Sequence, residues 1–374
     1  MAAGKCWPRF VAIKGKIFFL ALHQRLQTIN RSLQRRRLWR WWLALLVIIF
    51  IGVPIGWYGP RYLSIRAGWL MLQPTEDSFD PVAKQAVLQA TGELRARVVW
   101  SSSRSGNHEI YLMTVPELIT YRLTNNDQVD YFPRFSPDGK QIVFARSQRP
   151  WVSERQIEPW DIFVLTIADG TERLLVRDAN FPQWVDNNQI SFLRNGRQVI
   201  VINIDNGQEQ VIAPAPWMPA EWSWFVLAEF SPRDRKQLVV IAPPHGMFLL
   251  DLEHKSWQSY GSKGACEITW APDASYLLWM QSRGQGGTRV MSSQLRPEQE
   301  DVFLDLPGEF SHEYFPRLSR DGRWLIFGAS AGGHEHDLAD YEIFLWQVGQ
   351  PWDEAVRLTI NPANDRWPDI FIQP

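Results

Sequence analysis

Between Asp130 and Val176 the chain reads DYFPRFSPDGKQIVFA, an insertion, and then DIFVLTIADGTERLLV, and this stretch decides the fold. Its apolar, β-branched and aromatic runs are short, and each is bounded by turn residues. Ser136-Pro137-Asp138-Gly139 has the order of a type I turn: a small polar first corner, a proline that fixes φ at the second, and glycine last. Ala168-Asp169-Gly170 closes a second hairpin in the same unit. A further copy opens at His312 with HEYFPRLSRDGRWLIFGA and, after an insertion, continues as YEIFLWQVGQPWDEAVRLT. Weaker copies begin near Ala179, Leu227 and Cys266. The apolar residue two places after the proline of FPR marks each unit, and it falls at Phe135, Trp184, Phe230, Trp270, Leu318 and Ile370. Intervals of 49, 46, 40, 48 and 52 residues between these markers fit four short strands per unit rather than a helical repeat.

The ends complete the count. Residues 97–124, RVVWSSSRSGNHEIYLMTVPELITYRLT, supply three strands of a unit that lacks its first, and Asp365–Ile372, DRWPDIFI, supply a first strand and nothing more. The expected fold is all-β, a six-bladed β-propeller closed by the C-terminal strand, which leaves no exposed sheet edge at the ring junction. SSSRSGNHEIYLM, RLTNNDQVDYFPRFSPDGKQIVFA and DIFVLTIADG resemble the repeats of TolB-type β-propellers, which occur also in the propeller domains of prolyl-oligopeptidase-like enzymes. The resemblance covers residues 97–372, strongly in blades 1, 2 and 6 and faintly in blades 3, 4 and 5. It implies a fold, not a ligand. TolB itself has an additional N-terminal α/β domain and no anchor, so a TolB partner set does not carry over.

The 374 residues include 45% hydrophobic side chains, among them 20 Trp and 20 Phe, with 24 Gly and 25 Pro. That load suits many strands and tight turns. A net charge of −1 hides an asymmetry: residues 1–75 hold 12 Lys plus Arg and no acidic residue, which leaves 27 basic and 40 acidic residues, or −13, for the remainder. Trp41–Tyr58, WWLALLVIIFIGVPIGWY, is 18 residues without a charge, capped at both ends by Trp or Tyr and preceded by Arg35, Arg36, Arg37 and Arg40. Its length and flanks predict one transmembrane helix over residues 38–58, with the N-terminus in the cytoplasm and the rest outside. A cleaved signal peptide fits poorly, since the basic region runs to Arg37 and no good small-x-small site follows. The expected organisation is a basic cytoplasmic segment (1–37), a signal anchor (38–58), a stem with a short helix (59–96) and the propeller (97–374). Leu22, Leu26, Ile29 and Leu33 recur at helical spacing in the basic segment, which is either an amphipathic helix on the inner leaflet or a solvated tail. In the stem, Asp80 is the expected N-cap, Pro81 the first helical position and Gly92 the stop. Cys6 and Cys266 fall on opposite sides of the membrane and cannot pair within one chain.

In a four-stranded meander the second-to-third-strand loops and the blade-to-blade connections emerge on one face, and the SPDG-type turns on the other. On the first face the long loops are Arg146–Trp160 in blade 2, Pro214–Trp224 between blades 3 and 4, and Gly328–Asp340 in blade 6. Blades 2 and 6 flank blade 1, whose loop Ser103–His108 carries Arg104, so three loops are expected to converge. Candidate ligand- or partner-binding residues are Arg104, Arg149, Trp151, Arg155, Trp160, Trp217, Trp222, His334, His336 and Asp337. The arginines and tryptophans suit an anionic or aromatic ligand or a peptide, or else the tryptophans fold onto the blade below. His334-Glu335-His336-Asp337 offers metal-ligand residue types without defining a ligand set.

Gly328-Ala329-Ser330-Ala331-Gly332 matches GxSxG, but a β-strand rather than a helix follows and about 40 residues remain, so a nucleophile elbow is excluded on context. No GxxxxGK or GxGxxG occurs, no cofactor is called for, and an external domain of net −13 argues against nucleic acid. The expected function is an extracytoplasmic binding or scaffold module of the cell envelope, single-pass in the membrane, whose partner is another envelope protein, a peptide or a small ligand. The alternative is a propeller enzyme, metal-dependent or not, with its site in the funnel near the blade 6 loop.

Overall fold

The computed structural model describes residues 74–75, 81–92, 94–260, 266–282, 284, 287–295 and 299–373. The predicted basic segment and membrane span lie outside them. Among the described residues no helix is long and apolar enough to cross a membrane.

Six antiparallel sheets make the blades. Blade 2 runs Asp130–Phe135, Gln141–Ser147, Trp160–Thr166 and Thr171–Val176 from inside outward, and blades 3, 4, 5 and 6 repeat that order from Ala179, Leu227, Cys266 and His312. Blade 1 takes three strands from its own segment, Ala96–Ser102, Glu109–Val115 and Ile119–Arg122, and its innermost strand, Asp365–Ile372, from the chain end. The two termini of the ring meet in register, Ala96 opposite Ile372 and Ser102 opposite Asp365. A two-residue strand, Pro74–Thr75, adds to the outer edge. All six markers lie on the innermost strands, so blades 3 to 5 diverge in sequence but keep the four-stranded plan.

The turn chemistry forms as the residue types require. In blade 2 the Gly139 amide donates to Ser136 O at 2.8 Å, with Gly139 at φ +68°. Ser136 Oγ donates to Asp138, and the Gln141 amide donates back to Ser136 Oγ. Blade 6 repeats the arrangement at Ser319, Asp321 and Gly322.

The core lies between blades. Val99, Ile110 and Leu112 of blade 1 pack on Phe135, Ile142 and Phe144 of blade 2, and equivalent seams follow round the ring. The last seam, between blades 6 and 1, also covers Val87 of the helix Pro81–Thr91. That helix begins on the proline and is followed by Gly92 at φ +55°, the left-handed conformation glycine adopts without Cβ strain.

Five innermost strands carry a β-bulge three residues before the marker. Phe132, Phe181, Glu267, Phe315 and Trp367 stand there at φ between +52° and +59°. Bulges re-aim side chains. Here they bring those of blades 2, 3, 6 and 1 together at the centre of the ring.

Candidate functional site

The loops between the second and third strands of blades 2 and 6 meet. Ser153 Oγ donates to Asp337 Oδ2 at 2.5 Å, His336 Nδ1 pairs with the Glu154 carboxylate, and Arg155 reaches Glu335 at 3.4 Å. The blade 1 loop joins them through Asn364, whose amide donates to Ser103 Oγ at 3.0 Å and whose side chain donates to His336 O at 2.7 Å. The three loops converge over one sector of the ring.

Under them is a buried polar centre built on Arg366 and Glu154. Arg366 is 0% exposed, an environment in which a guanidinium without partners would be costly. Its Nη1 lies 3.1 Å from Glu154 Oε2 and 3.5 Å from Asp337 Oδ1. Its Nη2 donates to the Tyr131 hydroxyl and, at 3.2 Å, to His108 Nε2. Ser101 Oγ spends its proton on Asp130 O at 2.6 Å and therefore accepts from His108 Nδ1 at 3.1 Å. The network thus assigns His108 as the neutral Nδ1–H tautomer with Nε2 as acceptor. Burial, and then the Arg366 charge, push its pKa well below the ordinary histidine value, in agreement with that assignment.

Glu154 Oε2 also accepts from Trp367 Nε1 at 2.6 Å. Burial works against its ionisation, but Arg366, His336 and Trp367 together hold its pKa below the ordinary value. His336 moves the other way: burial opposes its charge, and the bond to and charge of Glu154 outweigh burial and raise its pKa. Every charge in this centre is matched by another from a different loop or blade. These cross-loop ion pairs and hydrogen bonds tie the loops together, although Arg366 Nε has no hydrogen-bond partner.

Next to it the re-aimed rings close the axis. Phe132 lies 4.5 Å from both Phe181 and Trp367 between ring centroids, and Phe315 lies 4.3 Å from Trp367. Phe181 of blade 3 and Trp367 of blade 1 come within 6.4 Å although their blades are not neighbours. Blade 5 contributes Glu267, whose carboxylate accepts the Phe315 amide at 2.5 Å. Desolvation raises its pKa to about 7.

The predicted residues divide into those at the surface and those committed inward. Trp151 is 64% exposed on the blade 2 loop, beside exposed Arg149 and Arg155. His334 is exposed and stacks on His312 at 6.3 Å. His336 and Asp337 turn inward to Glu154 and Arg366, away from that stack. Among the described residues no three His, Cys, Asp or Glu side chains are grouped to hold a metal ion. Trp160 is 0% exposed, with Nε1 donating to Gln156 O at 2.6 Å, and packs on Tyr131 and Phe132. Trp222 is buried against Phe248 and Trp257, and half-buried Trp217 packs on the same seam. These three tryptophans fold onto the blades below, the second of the two outcomes open from sequence. Arg104 is tied to Asp365 at 2.9 Å and lies over the Trp100 and Tyr111 rings.

Sequence reasoning missed Glu154, Arg366, Trp367 and Tyr131. A signal existed: aligned on the markers, DYFPRF, ANFPQW, EYFPRL and DRWPDI put an aromatic before the proline in four blades. Read as a position facing a shared axis, rather than as a period, it points to the plug.

No protein-family model matches the sequence, and no curated protein matches it. Among solved structures the chain is similar to TolB from Acinetobacter baumannii, with 12% identity over 74% of this chain and 66% of that one and a TM-score of 0.56. It also resembles a putative TolB from Agrobacterium tumefaciens, with 14% identity over 76% of this chain and 100% of that one and a TM-score of 0.49. A third similar structure is an oligogalacturonate lyase in complex with manganese, with 12% identity, 74% and 81% coverage and a TM-score of 0.43. The chain spans about two thirds of the Acinetobacter protein's length. A likeness at this identity is one of fold, and fold does not by itself carry function. Six four-stranded blades, the first sealed by the chain's last strand, give this protein the TolB-like β-propeller fold.

Proposed function

We propose that this chain is a membrane-anchored, extracytoplasmic propeller that binds another protein of the cell envelope through the joined loops of blades 2 and 6. The observation that carries the reading is the pair of large apolar side chains on those loops, Trp151 at 64% and Leu338 at 86% exposed. Three cross-links, Ser153–Asp337, Glu154–His336 and Arg155–Glu335, hold the loops that present them. A rigid platform with an aromatic anchor loses little entropy on docking, which favours a protein or peptide partner. The anchor itself rests on the uncharged run Trp41–Tyr58 and its arginine flank.

The test places a photo-crosslinking amino acid at 151, at 338 and, on the turn face, at exposed Lys140, in the full-length protein in intact cells. A partner that cross-links from 151 and 338 but not from 140, and is lost in Trp151→Ala/Leu338→Ser, is the expected result. Equal cross-linking from all three positions, or none above background at 151 and 338, removes the proposed face. Surface changes of this kind should alter stability by no more than about 0.5 kcal/mol. Protease added to spheroplasts is expected to digest the propeller; full protection would refute the external placement.

A further inference from the structure

The face bearing the SPDG-type turns has a funnel of its own, a cavity of about 510 Å³ around the axis. Its inner wall comes from the innermost strands one residue before the markers, where Arg134, Glu229, Arg317 and Asp369 stand, and Trp184 and Trp270 line it alongside them. Arg317 is ion-paired: its Nη1 meets Glu229 Oε2 at 2.5 Å and Thr269 Oγ1 at 3.0 Å. Arg134 is not. It is 5% exposed, its Nη1 donates to the Pro133 carbonyl at 2.7 Å with the Trp367 and Pro368 carbonyls at 3.4 Å, and its Nε has no partner. Among the described residues it forms no ion pair.

The carboxylates that act on it electrostatically are committed elsewhere. Asp369 accepts the Phe135 amide at 2.7 Å, Glu229 takes Arg317, Thr269 and the Trp270 amide, and Glu267 takes the Phe315 amide. Burial, and after it the neighbouring Arg317 charge, lower the Arg134 pKa to about 9. A guanidinium in this position is costly unless an anion reaches it. Exposed Arg320 stands at the cavity edge without an ion pair among the described residues, near Asp369 and Asp138, while Asp186 on the same lining is paired with Arg235.

We propose that this funnel binds a small organic anion, a carboxylate on an apolar or aromatic body, with the carboxylate on Arg134 and the body against Trp184 and Trp270. The forked guanidinium matches a carboxylate with two parallel hydrogen bonds, and the volume suits a small molecule rather than a folded partner. The site lies on the face opposite the joined loops and does not depend on the reading of those loops.

The test titrates purified full-length protein with phenylacetate and with its neutral isostere phenylacetamide, read by ligand-detected NMR and by tryptophan fluorescence. Phenylacetate is expected to bind at least tenfold more tightly than the amide, the difference a charge-assisted bond confers. Arg134→Met is expected to abolish that preference, and Trp151→Ala, on the other face, to leave it intact. If Arg134→Met does not fold, Arg134→Lys, which keeps the charge and loses the fork, is expected to weaken phenylacetate several-fold. Equal binding of acid and amide, no binding of phenylacetate up to roughly 10 mM, or unchanged affinity in the Arg134 variant each overturns the proposal.

Discussion

Glu154, buried, and Glu267, half-buried, both stand near the axis, and their surroundings shift their pKa values in opposite directions. Glu154 meets Arg366, His336 and Trp367, which hold its pKa below the ordinary value; Glu267 is desolvated and lies near the Glu154 charge, and these outweigh His336, the Phe315 amide and Arg317 and push it up to about 7. Opposite pH signatures follow. The pKa of Glu154 falls below its ordinary 4.5 on folding, so its contribution is present above that value and is lost as pH drops through the folded pKa. That of His336 rises above 6.5, so its contribution is present below 6.5 and is lost as pH climbs through the folded pKa. The pair therefore stabilises the joined loops most between 4.5 and 6.5. His336→Asn is expected to cost most stability in that window and progressively less above it; a cost independent of pH would show that the pairing is not ionic. Glu267 binds its proton more tightly folded than unfolded, so it erodes stability as pH rises from 4.5 to about 7. Glu267→Gln is expected to match the wild type at pH 4.5 in thermal unfolding and to exceed it at pH 8 by on the order of 2 kcal/mol, the partial exposure of the group limiting the gain. An equal difference at both pH values would assign the effect to packing instead.

At the scale of elements, one turn sequence performs two tasks. Gly139 and Gly322 occupy the same position of the blade 2 and blade 6 turns, at φ +68° and +70°. A Cβ at Gly322 would meet nothing within 4 Å, whereas one at Gly139 would lie 2.4 Å from the Phe371 ring of the closing strand. The Gly139 carbonyl also accepts Arg97 Nη2 at 2.7 Å, so the turn is part of the seam between blades 1 and 2. Gly322→Ala should cost about 1 kcal/mol for the left-handed backbone alone, and Gly139→Ala about 3 kcal/mol, with overpacking added. Denaturant unfolding of the two variants measures the difference, and equal losses would show that Phe371 moves aside freely. The turns were legible because their residue types are local requirements. The bulges were not: Phe132, Phe315 and Trp367 are ordinary strand residues, and their positive φ is imposed by the inner strands packed around one axis.

For the whole molecule, the closing strand joins the chain's last described segment to its first blade. Asp365–Ile372 buries Arg366, Trp367 and Ile370 and covers the edge of Ala96–Ser102. Ending the chain at Asn364 removes the plug's Trp367, the guanidinium that holds Glu154, and the cover on that edge together. Loss of the Trp and Ile burial alone is worth roughly 5 kcal/mol, comparable with the stability of a typical domain. The truncated protein is expected to lack a single cooperative calorimetric transition and to aggregate through the bared edge; a sharp wild-type-like transition would show that the ring does not need its closure.

Blade number, strand order, turn positions and the source of the closing strand follow from the sequence, because they depend on periodicity, turn stereochemistry and the rule that a ring leaves no open edge. Convergence of the blade 2 and blade 6 loops was also within reach, since adjacency in a closed ring is a matter of counting. What lay beyond the sequence is which side chains of those loops face outward. Trp151 and Trp160 are the same residue type nine positions apart, and only the packing of one on Tyr131 and Phe132 separates a core residue from a surface anchor. The charge states of Glu154, Glu267 and Arg134 were equally out of reach. Each is set by groups from other blades, some more than 200 residues distant in the chain, and electrostatic environment is a property of the assembled interior.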